Sequence, residues 1–278
     1  MSIAYYNGIF SSPEDIRIPL TDRAIYFGDG VYDAAIGRNG KIYMESEHIE
    51  RFLSNAKIMG LAVNHTSATL SALLHEAIGL SGESCYFVYF QATRFSCERL
   101  HACIDDSPAN LLITVTKSAP PTQEKRISLS LYEDKRYLYC NIKTLNLLPS
   151  VLASCDAARR GFDEAVFIRD GIVTECTHSN ISIIKDGELF THPECNKILS
   201  GTARRKMIEV ALNLGTVCRD IPFTREMLFD ADEVLVTSST KLCRLAERIE
   251  DRRFSKKEGT LGERICEIMH RDFRIFTE

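Results

Sequence analysis

Several features are missing from the 278 residues, and each absence removes a class of function. No apolar run approaches the roughly 18 residues that would suggest a membrane span. Neither charge sign builds a long run, and the formal net charge is only -4. The chain therefore carries no electrostatic footprint for nucleic acid. The Lys256-Lys257 pair reads as a solvated face, although a basic patch assembled by folding stays open. The opening stretch, Met1-Ser-Ile-Ala-Tyr-Tyr-Asn-Gly, lacks a basic segment followed by an apolar one, so no signal peptide is predicted. Ten cysteines run from Cys85 to Cys266 without one Cys-x-x-Cys pair. That scatter argues against a zinc site, and no metal is expected. With no export signal, the thiols are expected to be reduced and mostly buried, in a cytoplasmic protein. No repeat or low-complexity segment is present.

What remains is ordinary soluble composition, 45% hydrophobic and 26% charged, in a chain long enough for one large domain or two ordinary ones. Ile3 to Phe10 reads as a strand broken by an Asn7-Gly8 turn, and Gly37 to Met44 repeats the signal at Asn39-Gly40. Helical spacing runs from Glu47 to Gly60 through Ile49, Phe52, Leu53, Ala56 and Met59, and again from Ser67 to Gly79. Apolar strands are predicted over Cys85 to Thr93 and Leu111 to Lys117. The Pro120-Pro121 pair favours extended, non-helical chain. It places a linker at 118–122, between an N-terminal domain at 1–117 and a larger C-terminal domain at 123–278. Beyond it, strands are predicted at Ile127 to Tyr132 and Asn141 to Thr144, and a helix over Leu147 to Arg160 with Gly161 as its cap. Hairpins follow around Asp170-Gly171 and Asp186-Gly187, then a helix from Gly201-Thr202 to Leu214 and a strand at Glu233 to Thr237. The fold class is mixed α and β, in two domains.

Lys143 stands in an apolar stretch, Cys140-Asn-Ile-Lys-Thr-Leu-Asn-Leu-Leu. An amine drawn out of water sheds its proton more readily and can attack an aldehyde. The same segment also suits a lysine at a strand edge facing solvent. Glu175 ends a hairpin strand, where a carboxylate can pair with a cofactor ring nitrogen or simply meet solvent. Leu199-Ser-Gly-Thr-Ala-Arg-Arg opens a helix, whose free N–H groups and dipole favour an anion. Val236-Thr-Ser-Ser-Thr offers hydroxyls, which also serve as caps and turns. Arg51 could fork onto phosphate or lie exposed on its helix. Arg94, Arg99 and His101 cluster on one loop. On extended chain Arg99 and His101 face the same way, as a carboxylate clamp or as a solvated basic loop.

Five blocks carry these residues: Asp22-Arg-Ala-Ile-Tyr-Phe-Gly-Asp-Gly-Val-Tyr, Glu47-His-Ile-Glu-Arg, Asn141-Ile-Lys-Thr-Leu-Asn-Leu-Leu, Thr174-Glu-Cys-Thr-His-Ser-Asn and Val236-Thr-Ser-Ser-Thr. In this order they resemble the fold type IV pyridoxal-phosphate (PLP) enzymes, an α+β two-domain fold, and within them the D-amino-acid aminotransferases. The resemblance implies that Lys143 is the Schiff-base lysine and also moves the Cα proton, and that Glu175 keeps the pyridine nitrogen protonated. It gives the phosphate to Arg51, Ser239 and the backbone N–H groups of Thr202 and Ala203. It gives the substrate carboxylate to Tyr32, Arg99 and His101, with the Arg-x-His loop reaching across a homodimer. The implied substrates are amino and 2-oxo acids, with D-alanine and 2-oxoglutarate as the pair.

The chain departs from that pattern at Cys176, Thr177 and His178, where a glycine and serines are common, at Ala203 for a threonine, and at Pro149 for a small residue. These put the substrate more in question than the reaction. A branched-chain L-aminotransferase, an aminodeoxychorismate lyase and a non-catalytic PLP-binding scaffold remain as alternatives; the two catalytic ones separate from the D-specific reading by their products.

Overall fold

The computed structural model describes residues 2–102, 107–123, 125–256 and 258–278; Met1, Cys103 and Lys257 lie outside the described residues. Contacts divide the chain into two units. One comprises Met1–Pro120, Ile142–Asn146 and Phe276–Glu278; the other comprises Pro121–Asn141 and Leu147–Ile275. The short segment holding Lys143 thus belongs with the first unit, and not with the C-terminal domain in which the sequence reading placed it.

The first unit contains β1 (Ile3–Tyr6), β2 (Ile9–Ser11), α1 (Arg23–Phe27), β3 (Gly30–Arg38), β4 (Lys41–Ile42), α2 (Glu45–Ile58), α3 (Ser67–Ser81), β5 (Cys85–Thr93) and β6 (Asn110–Lys117). Its strands form one antiparallel sheet in the order β2-β1-β6-β5-β3-β4. Alternation along β5 buries Tyr86, Val88, Phe90 and Ala92, which pack with Phe52 of α2 and with Leu70 and Leu74 of α3. Phe52 and Phe90 meet edge to face at 5.0 Å. Each large side chain so buried contributes about 1.5–3 kcal/mol. The opposite face of β5 keeps Phe87, Tyr89 and Gln91 half-buried. Strand β3 starts well before the Gly37 expected from sequence. Its residues are covered on both faces over much of its length, so the period-2 pattern that betrays a strand is blurred.

The second unit contains β7 (Ile127–Glu133), α4 (Leu148–Arg159), β8 (Glu164–Arg169), β9 (Ile172–Cys176), β10 (Asn180–Lys185), β11 (Glu188–Thr191), α5 (Thr202–Asn213), β12 (Cys218–Asp220), α6 (Arg225–Asp230), β13 (Glu233–Ser238), β14 (Leu242–Ile249), β15 (Arg252–Arg253) and most of α7 (Leu261–Thr277). The sheet order is β12-β11-β10-β13-β14-β7-β8-β9, with β15 on β14. Strands β14, β7 and β8 run parallel to their neighbours in that run, as do β11 and β12, and the other pairs are antiparallel. One core gathers Leu129, Val166, Val173, Ile183 and Val236. Another sets Met207 of α5 and Ile265 and Met269 of α7 against Leu189 and Leu235.

Two further expectations are corrected. Residues 141–144 form no strand: only Thr144 bridges to Val31, because the chain bends at Lys143. Of the nine described cysteines, all free, only Cys176, Cys243 and Cys266 are buried; Cys155 is exposed and the others are partly covered. Several of these sit at the ends of strands, as Cys85 and Cys218 do, where cover is incomplete. Among the described residues no helix is long and apolar enough to cross a membrane, and no group of His, Cys, Asp and Glu is placed to hold a metal ion.

Candidate active site

Lys143 owes its position to hydrogen bonds between backbone groups. The Thr144 N–H donates to the Ile142 carbonyl at 2.8 Å, a tight bend centred on Lys143. On either side the segment is tied to β3: the Tyr32 N–H donates to the Lys143 carbonyl at 2.9 Å, and the Leu145 N–H to the Gly30 carbonyl at 3.1 Å. Only glycine permits this approach, since a Cβ at position 30 would lie 2.5 Å from the Ala92 carbonyl oxygen and 2.7 Å from Leu145 Cδ1. The half-buried Lys143 places Nζ 4.4 Å from the centre of the Tyr32 ring. Tyr32 in turn stacks on Tyr89 at 5.4 Å. Burial, with Tyr32 beside it, pushes the Tyr89 phenol well above its ordinary range, and its hydroxyl donates to Gln91 Oε1 at 2.7 Å.

The next residue on β3, Asp33, projects to the opposite face, towards α2. His48 Nδ1, Arg51 Nε and Arg51 Nη2 all reach its carboxylate at 2.8 Å. Burial by itself would raise Asp33, but Arg51 and His48 outweigh it and hold the carboxyl well below the usual range. Arg51 is therefore oriented by a two-point ion pair. Sequence reasoning missed Asp33 and His48, although the i, i+3 spacing of His48 and Arg51 on a helix was a usable signal.

Arg99 and His101 do come together. Both are exposed, and they gather on Phe27: the Arg99 guanidinium lies 5.3 Å and the His101 ring 5.3 Å from the Phe27 ring centre. Arg23 pins the loop by donating to the carbonyls of Leu100 at 2.6 Å and His101 at 3.3 Å. Their ring contacts among the described residues are with Phe27 and Tyr26. Arg94 does not join them; it binds Asp29 and the carbonyls of Met59 and Gly60.

In the second unit, the Glu175 carboxylate is ion-paired to Arg136 and accepts from Asn180 Nδ2 and the Leu199 N–H, both at 3.0 Å. Arg136 also forks onto Asp134 at 2.9 Å and lies over Phe167 at 4.3 Å. Burial works against the Arg136 charge, yet Asp134 and Glu175 overcome it, so this guanidinium stays charged. Nothing in the sequence marks Asp134 or Arg136, which look like an ordinary polar turn after a strand.

Asn180 links Glu175 to the start of α5, because its Nδ2 also donates to the Leu199 carbonyl at 2.9 Å. Gly201 caps α5 without a side chain; a Cβ there would strike Asn180 Oδ1. Thr202 and Ala203 are buried in the first turn. On β13, Thr237 lies directly opposite Asn180, so the two side chains share a face. The Thr237 hydroxyl is buried with no hydrogen-bond partner among the described residues, and Ser239 follows two residues on. A carboxylate beside a permanent cation, a helix start and an orphaned hydroxyl thus share one neighbourhood.

Residues 30–249 match the family described as amino-transferase class IV. The chain belongs to the class IV aminotransferases. It is 38% identical over 231 residues to a D-alanine aminotransferase of Listeria innocua, covering 81% of this chain and 80% of that protein. It is 36% identical over 244 residues to a D-alanine aminotransferase of Staphylococcus epidermidis, covering 86% of each. Its fold is that of a branched-chain aminotransferase from Thermoproteus uzoniensis, with a TM-score of 0.91 over 99% of this chain and 96% of that one, at 23% identity. The fold is type IV and the protein is an enzyme. Class IV aminotransferases use PLP. The residues present fit it: an amine at a bend beside an aromatic ring, a carboxylate ion-paired to an arginine, and a helix start next to a hydroxyl with no partner among the described residues.

Proposed function

We propose that this class IV aminotransferase acts on D-amino acids, moving the amino group of D-alanine to 2-oxoglutarate to give pyruvate and D-glutamate, as a cytoplasmic homodimer. Identity to D-alanine aminotransferases over more than four-fifths of the chain supports the substrate. The observation that carries the reading is the Arg99–Phe27–His101 cluster: two exposed donors held together on a loop pinned by Arg23. Such a clamp suits the carboxylate of an amino acid bound by a second subunit.

In this reading Lys143 would hold the cofactor through its amine and, once released, would carry the proton from the substrate Cα to the cofactor carbon. The cofactor supplies the aldehyde that exchanges amino groups and a ring that accepts the electron pair of the Cα–H bond. Glu175, paired with Arg136, would meet the ring nitrogen and favour its protonated form. Arg51, oriented by Asp33, the N–H groups of Thr202 and Ala203, and Ser239 hold the phosphate. Tyr32, with Arg99 and His101 of the partner subunit, binds the substrate carboxylate, which decides the enantiomer whose Cα hydrogen faces Lys143.

The dimer and the shared clamp are tested together by subunit complementation. Arg99→Ala alone should raise KM for D-alanine by about tenfold or more, the scale of a lost hydrogen bond to a charged group. Lys143→Ala alone should be inactive. Mixed and reassociated, the two variants should regain activity at wild-type KM, since each hybrid holds one complete set of groups. A mixture showing only the Arg99→Ala KM would overturn the clamp in trans.

A further inference from the structure

His178, one of the positions at which the sequence departs from the pattern it resembles, sits among buried and charged groups. It lies in the turn Thr177-His178-Ser179 between β9 and β10, directly after Glu175 and Cys176. Lys241 follows the turn Ser238-Ser239-Thr240 between β13 and β14. Between them sits Glu164, whose side chain is fully buried at the start of β8. Glu164 Oε2 accepts from Lys241 Nζ at 2.9 Å. Its Oε1 accepts from the Ser179 hydroxyl at 2.7 Å, the His178 N–H at 2.9 Å and the Thr177 hydroxyl at 3.3 Å. Lys241 Nζ is also 3.2 Å from His178 Nε2. An ammonium can only donate, so Nε2 is the acceptor and the ring proton sits on Nδ1, which is 3.2 Å from both Glu164 Oε1 and the Thr177 hydroxyl. The Lys241 N–H adds a bond to the Ser238 hydroxyl at 3.2 Å.

Burial raises the Glu164 carboxyl, but the Lys241 charge and the hydrogen bonds from the His178 N–H and the Ser179 hydroxyl outweigh it and hold the carboxyl below its usual range. A buried carboxylate saturated by one turn and a lysine is costly to pull apart, because separation strands a charge. Its four tethering residues belong to the turn that follows Glu175 and to the residue that follows the Ser239 turn. Holding both turns in place before binding removes an ordering cost from the binding step.

We propose that Lys241 is a positioning residue for the cofactor phosphate: with Glu164 and His178 it clasps the Ser238–Thr240 turn to the Thr177–Ser179 turn, so that Ser239 is in place before the phosphate arrives. This rests on the cofactor contacts proposed above. Lys241 touches no reacting atom.

The test measures the dissociation constants of PLP and of pyridoxal, which lacks the phosphate, for wild type, Lys241→Met, Lys241→Arg and the double variant Glu164→Gln with Lys241→Met. In Lys241→Met, PLP affinity should fall about tenfold while pyridoxal affinity stays within about twofold, and arginine should restore most of the loss. The double variant leaves no stranded charge, and keeps the comparison available if Lys241→Met does not fold; the same split is expected. Equal PLP affinities, or a parallel loss for both ligands, overturns the proposal. Nitrogen NMR of the His178 ring in the cofactor-free protein should show Nδ1–H with Nε2 accepting, and Lys241→Met should abolish that acceptor signature; an unchanged ring also overturns the clasp. Failure of wild type to take PLP at all would instead overturn the cofactor contacts, a distinguishable result.

Discussion

Lys143 and Glu175, the residues proposed to meet the cofactor, stand out in the sequence because each is chemically out of place: a lysine in an apolar stretch, and a glutamate at a strand end leading into hydroxyls. The groups that condition them do not. Arg136 is 39 residues from Glu175 along the chain, and nothing local distinguishes it from a solvated arginine. Asp33 was hidden for the same reason, its partner Arg51 being 18 residues away. Asp33 carries a prediction. Its folded value is depressed by Arg51 and His48 against burial, so its stabilisation is complete above the ordinary carboxylate range, about pH 4, and is lost as pH falls through the folded value. Asp33→Asn should cost about 3–5 kcal/mol near neutral pH by removing the buried carboxylate that pairs with Arg51, and should flatten the decline in Tm below about pH 4. Thermal unfolding from neutral pH down to pH 3 checks both; parallel curves would show that Asp33 does not titrate with unfolding.

Elements with a strong local signal were readable. Four two-residue turns, Asn7-Gly8, Asn39-Gly40, Asp170-Gly171 and Asp186-Gly187, have positive φ at both positions, as type I′ hairpins require. Helices α2 and α3 followed their apolar spacing to within a turn. The bend at Lys143 was not readable, because it is imposed by hydrogen bonds to β3, which lies more than a hundred residues earlier. The start of α5 was readable as a helix but not as a packing constraint. Gly201→Ala tests that constraint: its Cβ must displace Asn180, which holds Glu175. Overpacking of this kind costs about 1–3 kcal/mol. Tm should fall accordingly and PLP affinity should weaken with it; a variant that binds PLP as wild type does would separate Asn180 from the cofactor.

For the whole molecule, sequence order carried the family and the reaction, while contacts redistributed the chain. Residues 142–146 and 276–278 join the first unit despite their place in sequence. No composition or periodicity shows such a return, because five residues bury too little to leave a pattern. Substrate choice sits at the same scale, since the proposed clamp needs a second subunit. The most direct measurement is the visible absorption of purified, PLP-loaded protein before and after D-alanine, and separately before and after L-leucine. Loss of the bound-cofactor band with D-alanine and not with L-leucine is the expected result. Conversion by L-leucine alone would contradict the D-amino-acid assignment and place the chain with the branched-chain enzymes, and silence with both would point to the lyase.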